Sequence, residues 1–151
     1  MAVGAQVGYR DLAGFGRRFI DVPPDDLAAD VLYQLGALDG MCRVAGVAVR
    51  YVKPHGALYN TAAVDEGQAS AVGAAVRAYD PALPVLCQPE DAEALRGHGF
   101  TDVRPVEGRL ALGEVEVVRT PARHGYGADA EALAPVSGFV LRDPSGRSLY
   151  V

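Results

Sequence analysis

The stretch that most constrains this chain is an apolar run, Val47 to Val52, that ends in Lys53-Pro54-His55-Gly56-Ala57-Leu58-Tyr59-Asn60. A short apolar run bounded by turn formers reads as a buried strand. Pro54 biases Lys53 toward an extended backbone. Side chains alternate along a strand, so Lys53 and His55 lean to the same side where that geometry persists. Gly56 then lets the chain turn or approach another group closely. In α/β proteins, sites collect at such strand ends. An ordinary strand exit, with a surface lysine and a hydrogen-bonded histidine, fits the same spacing equally well.

The segments around this run fix its neighbours. Ala2 to Ala5 reads as a short strand, followed by a loop through Arg18 marked by Gly8, Gly14 and Gly16. Pro23-Pro24-Asp25-Asp26 opens a helix, since proline suits the first turn and acids suit the positive end of the helix dipole. Leu27, Val31, Leu35, Leu38, Cys42 and Ala45 recur at three- and four-residue steps as one buried stripe, and Gly46 is a natural stop. Strand, helix, strand with short connections predicts a parallel pair. Asp65 to Tyr79 reads as a second helix with Ala69, Val72, Val76 and Tyr79 inward. Leu83 to Cys87 reads as a third strand, Pro89 to about Arg96 as a third helix, and Phe100 to Val103 as a fourth strand.

The character then changes. Val115 to Arg119 alternates, with Val115 and Val117 on one side and Glu114 and Glu116 on the other. Gly138 to Arg142 and Ser148 to Val151 are further strands, and Asp143-Pro144-Ser145-Gly146 between them is a hairpin turn signal. The expected class is α/β: a parallel strand–helix–strand N-terminal part, then a β-rich C-terminal part with hairpins.

A chain of 151 residues, half of them apolar, has enough material for one ordinary core. A net charge of −5 with dispersed Lys and Arg disfavours a nucleic-acid partner, whose binding rests on phosphate neutralisation. No apolar run approaches membrane-spanning length, and the N-terminus lacks the basic-then-apolar pattern of a secretory signal, so a cytoplasmic location is expected. Cys42 and Cys87 lie far apart in no metal-like spacing and read as small buried hydrophobes. Tyr9, Arg10 and Asp11 are polar groups on the glycine-marked loop, where either a ligand or solvent meets them. Asp11, Arg17 and Arg18 are placed to pair with one another or with a ligand. His98, between Gly97 and Gly99, reads as a helix-end group.

Lys53 to Asn60 resembles the signature of the LamB/YcsF family, the family of the A subunits of bacterial ATP-dependent 5-oxoprolinases. Val3-Gly4-Ala5-Gln6, Tyr9-Arg10-Asp11, Gly14-Phe15-Gly16-Arg17-Arg18 and Asp30 to Leu38 resemble it too, and the likeness runs over about residues 2–85. It implies a fragment of a β/α barrel-like domain. It also implies ATP-dependent ring opening of a small-molecule substrate, 5-oxo-L-proline, to L-glutamate, with partner subunits and ATP required. Under this likeness Lys53 and His55 are the catalytic candidates. Lys53 would stabilise negative charge on a carboxylate or phosphoryl group, and His55 would act as acid, base or ligand. Tyr59, Asn60, Tyr9, Arg10, Asp11 and Arg17 would contact substrate. Family members carry an Asn-x-Asp-x-Gly-Glu strand and a Gly-Phe-His segment that this sequence lacks, so inactivity of the chain alone is expected.

The tail resembles a second family. Leu83 to Asp91, Gly99 to Val103, Thr120-Pro121-Ala122-Arg123-His124-Gly125 and Pro135 to Val140 look like the middle of a lactonase-like hydrolase of the metallo-β-lactamase fold. That likeness makes His124 a metal ligand, but zinc needs three or four ligands and only this position matches. The two likenesses together suggest a chimera of residues 1–85 and 86–151, with a seam at about Leu83 to Leu86. The alternatives to the 5-oxoprolinase reading are then a zinc-dependent hydrolase or a hybrid α/β domain without catalysis.

Overall fold

The computed structural model describes residues 3–87, 96–97, 101–104, 106, 108–122 and 136–150. The chain forms two compact units, Met1–Val103 and Arg104–Val151.

In the first unit, strand β1 (Val3–Ala5) pairs in parallel with β2 (Val49–Val52), and the connection between them carries helix α1 (Pro24–Val44). This is the expected strand–helix–strand unit. The register slips between Val3 and Gly4, whose partners are Val49 and Tyr51, so Arg50 is the extra residue of a bulge. The bulge explains why Val49 and Val52 are both buried although three residues apart, while Arg50 is exposed. Val85 adds a parallel bridge on Val52, with Val52 N–H donating to Pro84 O at 2.9 Å and Leu86 N–H to Val52 O at 2.8 Å. The third strand predicted over Leu83 to Cys87 is thus reduced to this bridge.

Helix α1 begins with Pro24, Asp25 and Asp26 in its first turn and buries Leu27, Val31, Leu35 and Cys42. Leu38 is half-buried and Ala45 lies outside the helix, exposed, so the predicted stripe ends one turn early. Gly46 N–H to Arg43 O and Val47 N–H to Cys42 O, at 3.1 and 2.9 Å, close the helix as a Schellman motif. Helix α2 (Ala57–Ala62) follows β2, and α3 (Glu66–Tyr79) packs on α1. Asp65 caps α3 by accepting Gln68 N–H at 3.0 Å, and Ala69, Val72, Ala75 and Val76 are buried with Leu27, Val31, Leu35, Val52 and Leu58. The short α2 is absent from the sequence expectation, because six residues after a glycine carry no helical period. Thr101 to Val103, predicted as strand, are irregular. β-branched residues favour a strand only where a neighbouring strand is there to pair with. Phe100, His98 and most of the predicted third helix lie outside the described residues.

The second unit is an antiparallel meander in the order β3 (Arg109–Leu112), β4 (Val115–Ala122), β5 (Val136–Arg142), β6 (Ser148–Tyr150). The alternation expected in β4 holds: Val117 is buried, while Glu116 on the other face meets Arg109 at 3.1 Å and Arg142 at 3.3 Å. The β5–β6 turn is the predicted one. Asp143 accepts Ser145 N–H and Arg147 N–H at 2.9 and 3.0 Å, and Gly146 N–H reaches Asp143 O at 2.9 Å. Strand β3 is outside the sequence expectation, since four residues hold too few alternations to register as a period.

Candidate functional site

The β1–β2 ladder does not stop at Val52. Lys53 N–H donates to Ala5 O and His55 N–H to Val7 O, each at 2.8 Å, so extended pairing persists through His55. Val52 and Pro54 are buried and Lys53 and His55 half-buried, which is the alternation a strand imposes. The two candidate catalytic side chains therefore leave the strand end on one side, away from the core-facing pair.

The Lys53 ammonium lies 5.7 Å over the ring of Tyr59, the half-buried tyrosine of α2. No carboxylate pairs with it among the described residues, and burial pushes its pKa down from the usual lysine range. A half-buried cation without a counter-charge is costly, and an anion placed beside it would relieve that cost. Asn60 follows Tyr59 on α2 and is exposed.

His55 is held far more tightly. Its Nε2 lies 2.7 Å from the carbonyl oxygen of Phe15. A carbonyl only accepts, so Nε2 carries a proton, and in the neutral ring Nδ1 is the acceptor. The Phe15 ring stands edge-on to the imidazole at 5.1 Å between centroids. A Cβ added to Gly16 would come within 3.1 Å of the His55 Cδ2, so this loop glycine leaves room for the ring, whereas one added to Gly8 would make only ordinary contact with His55, at 3.6 Å. Ala57 N–H donates to Gly16 O at 2.8 Å. This approach requires Gly56: its φ is +60°, and a Cβ there would sit 2.3 Å from Gly16 O.

The loop that meets His55 is itself cross-braced. The Asp11 carboxylate accepts Gly14 N–H at 2.9 Å and pairs with the Arg18 guanidinium, which also approaches through Nε at 3.1 Å. Asp11 O accepts Gly16 N–H at 2.9 Å. The hydrogen bonds from Arg18 hold the Asp11 carboxyl at about 2, well below the usual range, although burial works against ionisation. Phe15, at the tip, has φ +55°, a strained value for a large side chain, and exposes 70% of its surface. Arg17 lies 5.8 Å over the Phe15 ring.

Of the predicted site residues, the structure gathers Lys53, Tyr59, His55 and, through Phe15, Arg17. Tyr9 is turned into the core: its hydroxyl donates to Gln68 Oε1 at 3.0 Å, and burial pushes the phenol pKa up. Arg10 reaches Asp30 of α1 at 2.8 Å. Asp11 is engaged by its own loop. His124, the zinc-ligand candidate, lies outside the described residues, and among those described no three His, Cys, Asp or Glu groups could hold a metal ion. Nor, among them, is any helix long and apolar enough to cross a membrane.

Two glutamines carry structure that the sequence reading does not anticipate. Gln34 grips the backbone of Gly8, accepting its N–H at 3.0 Å and donating to its carbonyl at 2.9 Å. Gln68, buried, receives Tyr9 and donates to Val22 O at 2.9 Å. Both sit on the apolar stripes of their helices, Gln34 three residues after Val31 and Gln68 four before Val72. A polar residue on such a stripe was the available signal.

The sequence profile of the LamB/YcsF family matches residues 1–101. The 5-oxoprolinase A subunit of Mycobacterium avium (strain 104) is 67% identical over 144 residues, 95% of this chain and 52% of its own length. That of Mycobacterium leprae (strain Br4923) is 47% identical over the same shares. Among solved structures, the lactam utilization protein from Thermus thermophilus is 46% identical and superposes with a TM-score of 0.63, over 65% of this chain and 40% of that one. The chain spans about half the length of the curated relatives it matches. Both 144-residue matches run through the seam expected at Leu83 to Leu86, so a single kind of relative accounts for residues on both sides of it.

Proposed function

The chain belongs to the LamB/YcsF family, and from that membership we propose that it serves in a 5-oxoprolinase as A-subunit material, opening the lactam ring of 5-oxo-L-proline with partner subunits and ATP. The observation that carries this reading is the pairing of a half-buried cation, which no carboxylate meets among the described residues, with a clamped imidazole at one strand end. Lactam hydrolysis breaks the ring C–N bond, delivers hydroxide from water to the carbonyl carbon and a proton to the departing nitrogen. His55 Nδ1 is suited to take and return that proton. Lys53 is suited to the negative charge, on the substrate carboxylate or on a phosphoryl group. Tyr59 flanks the lysine, and Asn60 adds an amide for orientation. ATP supplies the driving force as co-substrate, and Lys53 is the cation of this motif that fits its charge.

The test is glutamate formation from 5-oxoproline in the assembly with partner subunits. His55→Gln and Lys53→Ala should each lower kcat/KM by at least about a hundredfold, the usual size of a lost proton-transfer or charge-stabilising group. Turnover within a fewfold of the parent chain in both variants would overturn the assignment.

A further inference from the structure

Asp11 touches neither His55 nor the space in front of Lys53, yet its surroundings point at His55. We infer that Asp11 is a positioning residue for the imidazole: it braces the loop whose Phe15 carbonyl holds His55 in its Nε2–H form, leaving Nδ1 to exchange protons. The inference rests on His55 as the proton-transfer group proposed above, and deepens it.

Three contacts fix the His55 segment. Val7 O takes the His55 backbone N–H at 2.8 Å, Phe15 O takes Nε2 at 2.7 Å, and Gly16 O takes Ala57 N–H at 2.8 Å. Two of these three acceptors, Phe15 and Gly16, lie on the loop from Leu12 to Arg18. The loop's apolar side chains do not anchor it in the core: Leu12 points to solvent, and Phe15 is largely exposed, its ring meeting the imidazole and Arg17. Phe15 moreover has a backbone conformation that a free loop would leave. What over-determines it is Asp11. The carboxylate gathers Gly14 N–H and the Arg18 guanidinium, and Arg18 N–H approaches Oδ2 at 3.3 Å. The Asp11 carbonyl takes Gly16 N–H, and Asp11 N–H returns to Tyr9 O at 2.8 Å.

Burial sharpens the case. The Asp11 side chain is 1% exposed, whereas its partner Arg18 is 67% exposed. A carboxylate is taken out of water only where several donors replace the lost hydration. Here those donors are all residues of the loop itself, so the charge serves loop shape and its acceptor sites are filled. Asp11 is thereby a poor substrate ligand and a good brace. Gln34 secures the other end of the same loop at Gly8, next to His55 Cβ.

The experiment reads the imidazole directly. The 15N-labelled chain is examined by two-bond 1H–15N correlation at a pH where histidines are neutral, with His55 signals assigned by their loss in His55→Gln. The parent chain should show the Nε2–H tautomer with a slowly exchanging Nε2 proton. Asp11→Asn and Arg18→Ala should each speed that exchange by about tenfold, the worth of one ordinary hydrogen bond, and admit the Nδ1–H tautomer. Arg10→Ala, which cuts only the surface pair with Asp30, should leave His55 unchanged. Circular dichroism reports whether each variant keeps its helices. Should Asp11→Asn fail to fold, Arg18→Ala decides, because that side chain contributes nothing to the core. An unchanged His55 spectrum in a folded Asp11→Asn or Arg18→Ala chain overturns the inference. In the assembly with partner subunits, Asp11→Asn should lower kcat about tenfold with KM for 5-oxoproline within about twofold, since no substrate contact is lost. The two proposals fail differently. If His55→Gln leaves turnover intact, the functional reading falls while the positioning result stands. If His55→Gln abolishes turnover but Asp11→Asn disturbs neither imidazole nor turnover, only the positioning role falls.

Discussion

Asp11 and Asp143 are both held at about pKa 2, one in each unit of the molecule, and the likeness ends there. Asp11 is buried and organised mainly by an arginine, and the loop it braces reaches across to the histidine at a strand end. Asp143 has a side chain 30% exposed and is organised mainly by the Ser145 hydroxyl within its own hairpin turn. One carboxylate determines where a distant imidazole sits; the other shapes only the turn it belongs to. A depressed pKa alone therefore does not mark a site. What distinguishes the first unit is that, beside its local bonds, it has side-chain polar contacts between segments far apart in sequence, such as Gln34 to Gly8, Gln68 to Tyr9 and His55 to Phe15. In the second unit the ion pairs and turn bonds lie on the surface, between neighbouring strands or within one turn.

The largest expected effect comes from two glycines that share a positive φ and differ in surroundings. Gly56 and Gly113 have φ of +60° and +58°. A Cβ on Gly56 would sit 2.3 Å from Gly16 O, while one on Gly113 would meet nothing within 4 Å. Gly113→Ala should cost about 1 kcal/mol, the conformational penalty alone. Gly56→Ala should cost about 3 kcal/mol or more, because the clasp between the loop and α2 must open as well. Urea midpoints of the two variants check this. Equal losses would mean that the contact between Gly16 and residues 56–57 is not rigid, and the contrast between the units would weaken.

Leu58→Ala ranks next. Leu58 is fully buried beneath the motif and anchors α2, so its truncation should cost about 2–4 kcal/mol and free the Tyr59 ring beside Lys53. Denaturant unfolding measures the first effect. Tyrosine fluorescence at pH 7 reports the second.

Acid separates the two aspartates. Each has a folded pKa of about 2, below the unfolded value near 3.9. Their contributions are therefore fully present above about pH 4 and are lost as pH falls toward 2. Asp11→Asn should remove most of the first unit's acid sensitivity and lower its thermal midpoint at pH 7. Asp143→Asn should shift the midpoint less. Equal shifts would show that burial adds nothing to the role of Asp11.

The parallel strand–helix–strand core, the Schellman stop at Gly46 and the Asp143 turn were legible in the sequence, because each rests on local chemistry or on a long period. The strand-end placement of Lys53 and His55 was legible too, since alternation carries through Pro54. Three features were not. The bulge at Arg50 depends on which residue of β1 it opposes. The α2 helix is too short to show a period. The grip of the 11–18 loop on His55 joins residues 40 apart through a backbone carbonyl, which no side-chain pattern announces. The same limit explains Tyr9 and Arg10. Both look ready for a ligand in sequence, and only the fold supplies Gln68 and Asp30 as their partners.

The smallest effect tests the second unit's side of the comparison. Glu116 bridges Arg109 and Arg142 across three strands, at 3.1 and 3.3 Å, with both arginines well exposed. Exposed pairs of this kind are worth roughly 0.2–1 kcal/mol each, and salt screens them. Glu116→Gln keeps the side chain's shape and one acceptor oxygen while removing the charge. Its cost should be about 0.5–1 kcal/mol at low ionic strength and should fall to near zero in about 1 M salt, where the Debye length is about 3 Å. Urea unfolding at both ionic strengths measures it. Asp11→Asn, by contrast, should keep most of its destabilisation in salt, because the carboxylate is out of water and also holds the backbone N–H of Gly14. If the Glu116 effect survived high salt, the pair would be as well shielded as Asp11. The division between a unit built on buried polar contacts and a unit built on surface registration would then need another basis.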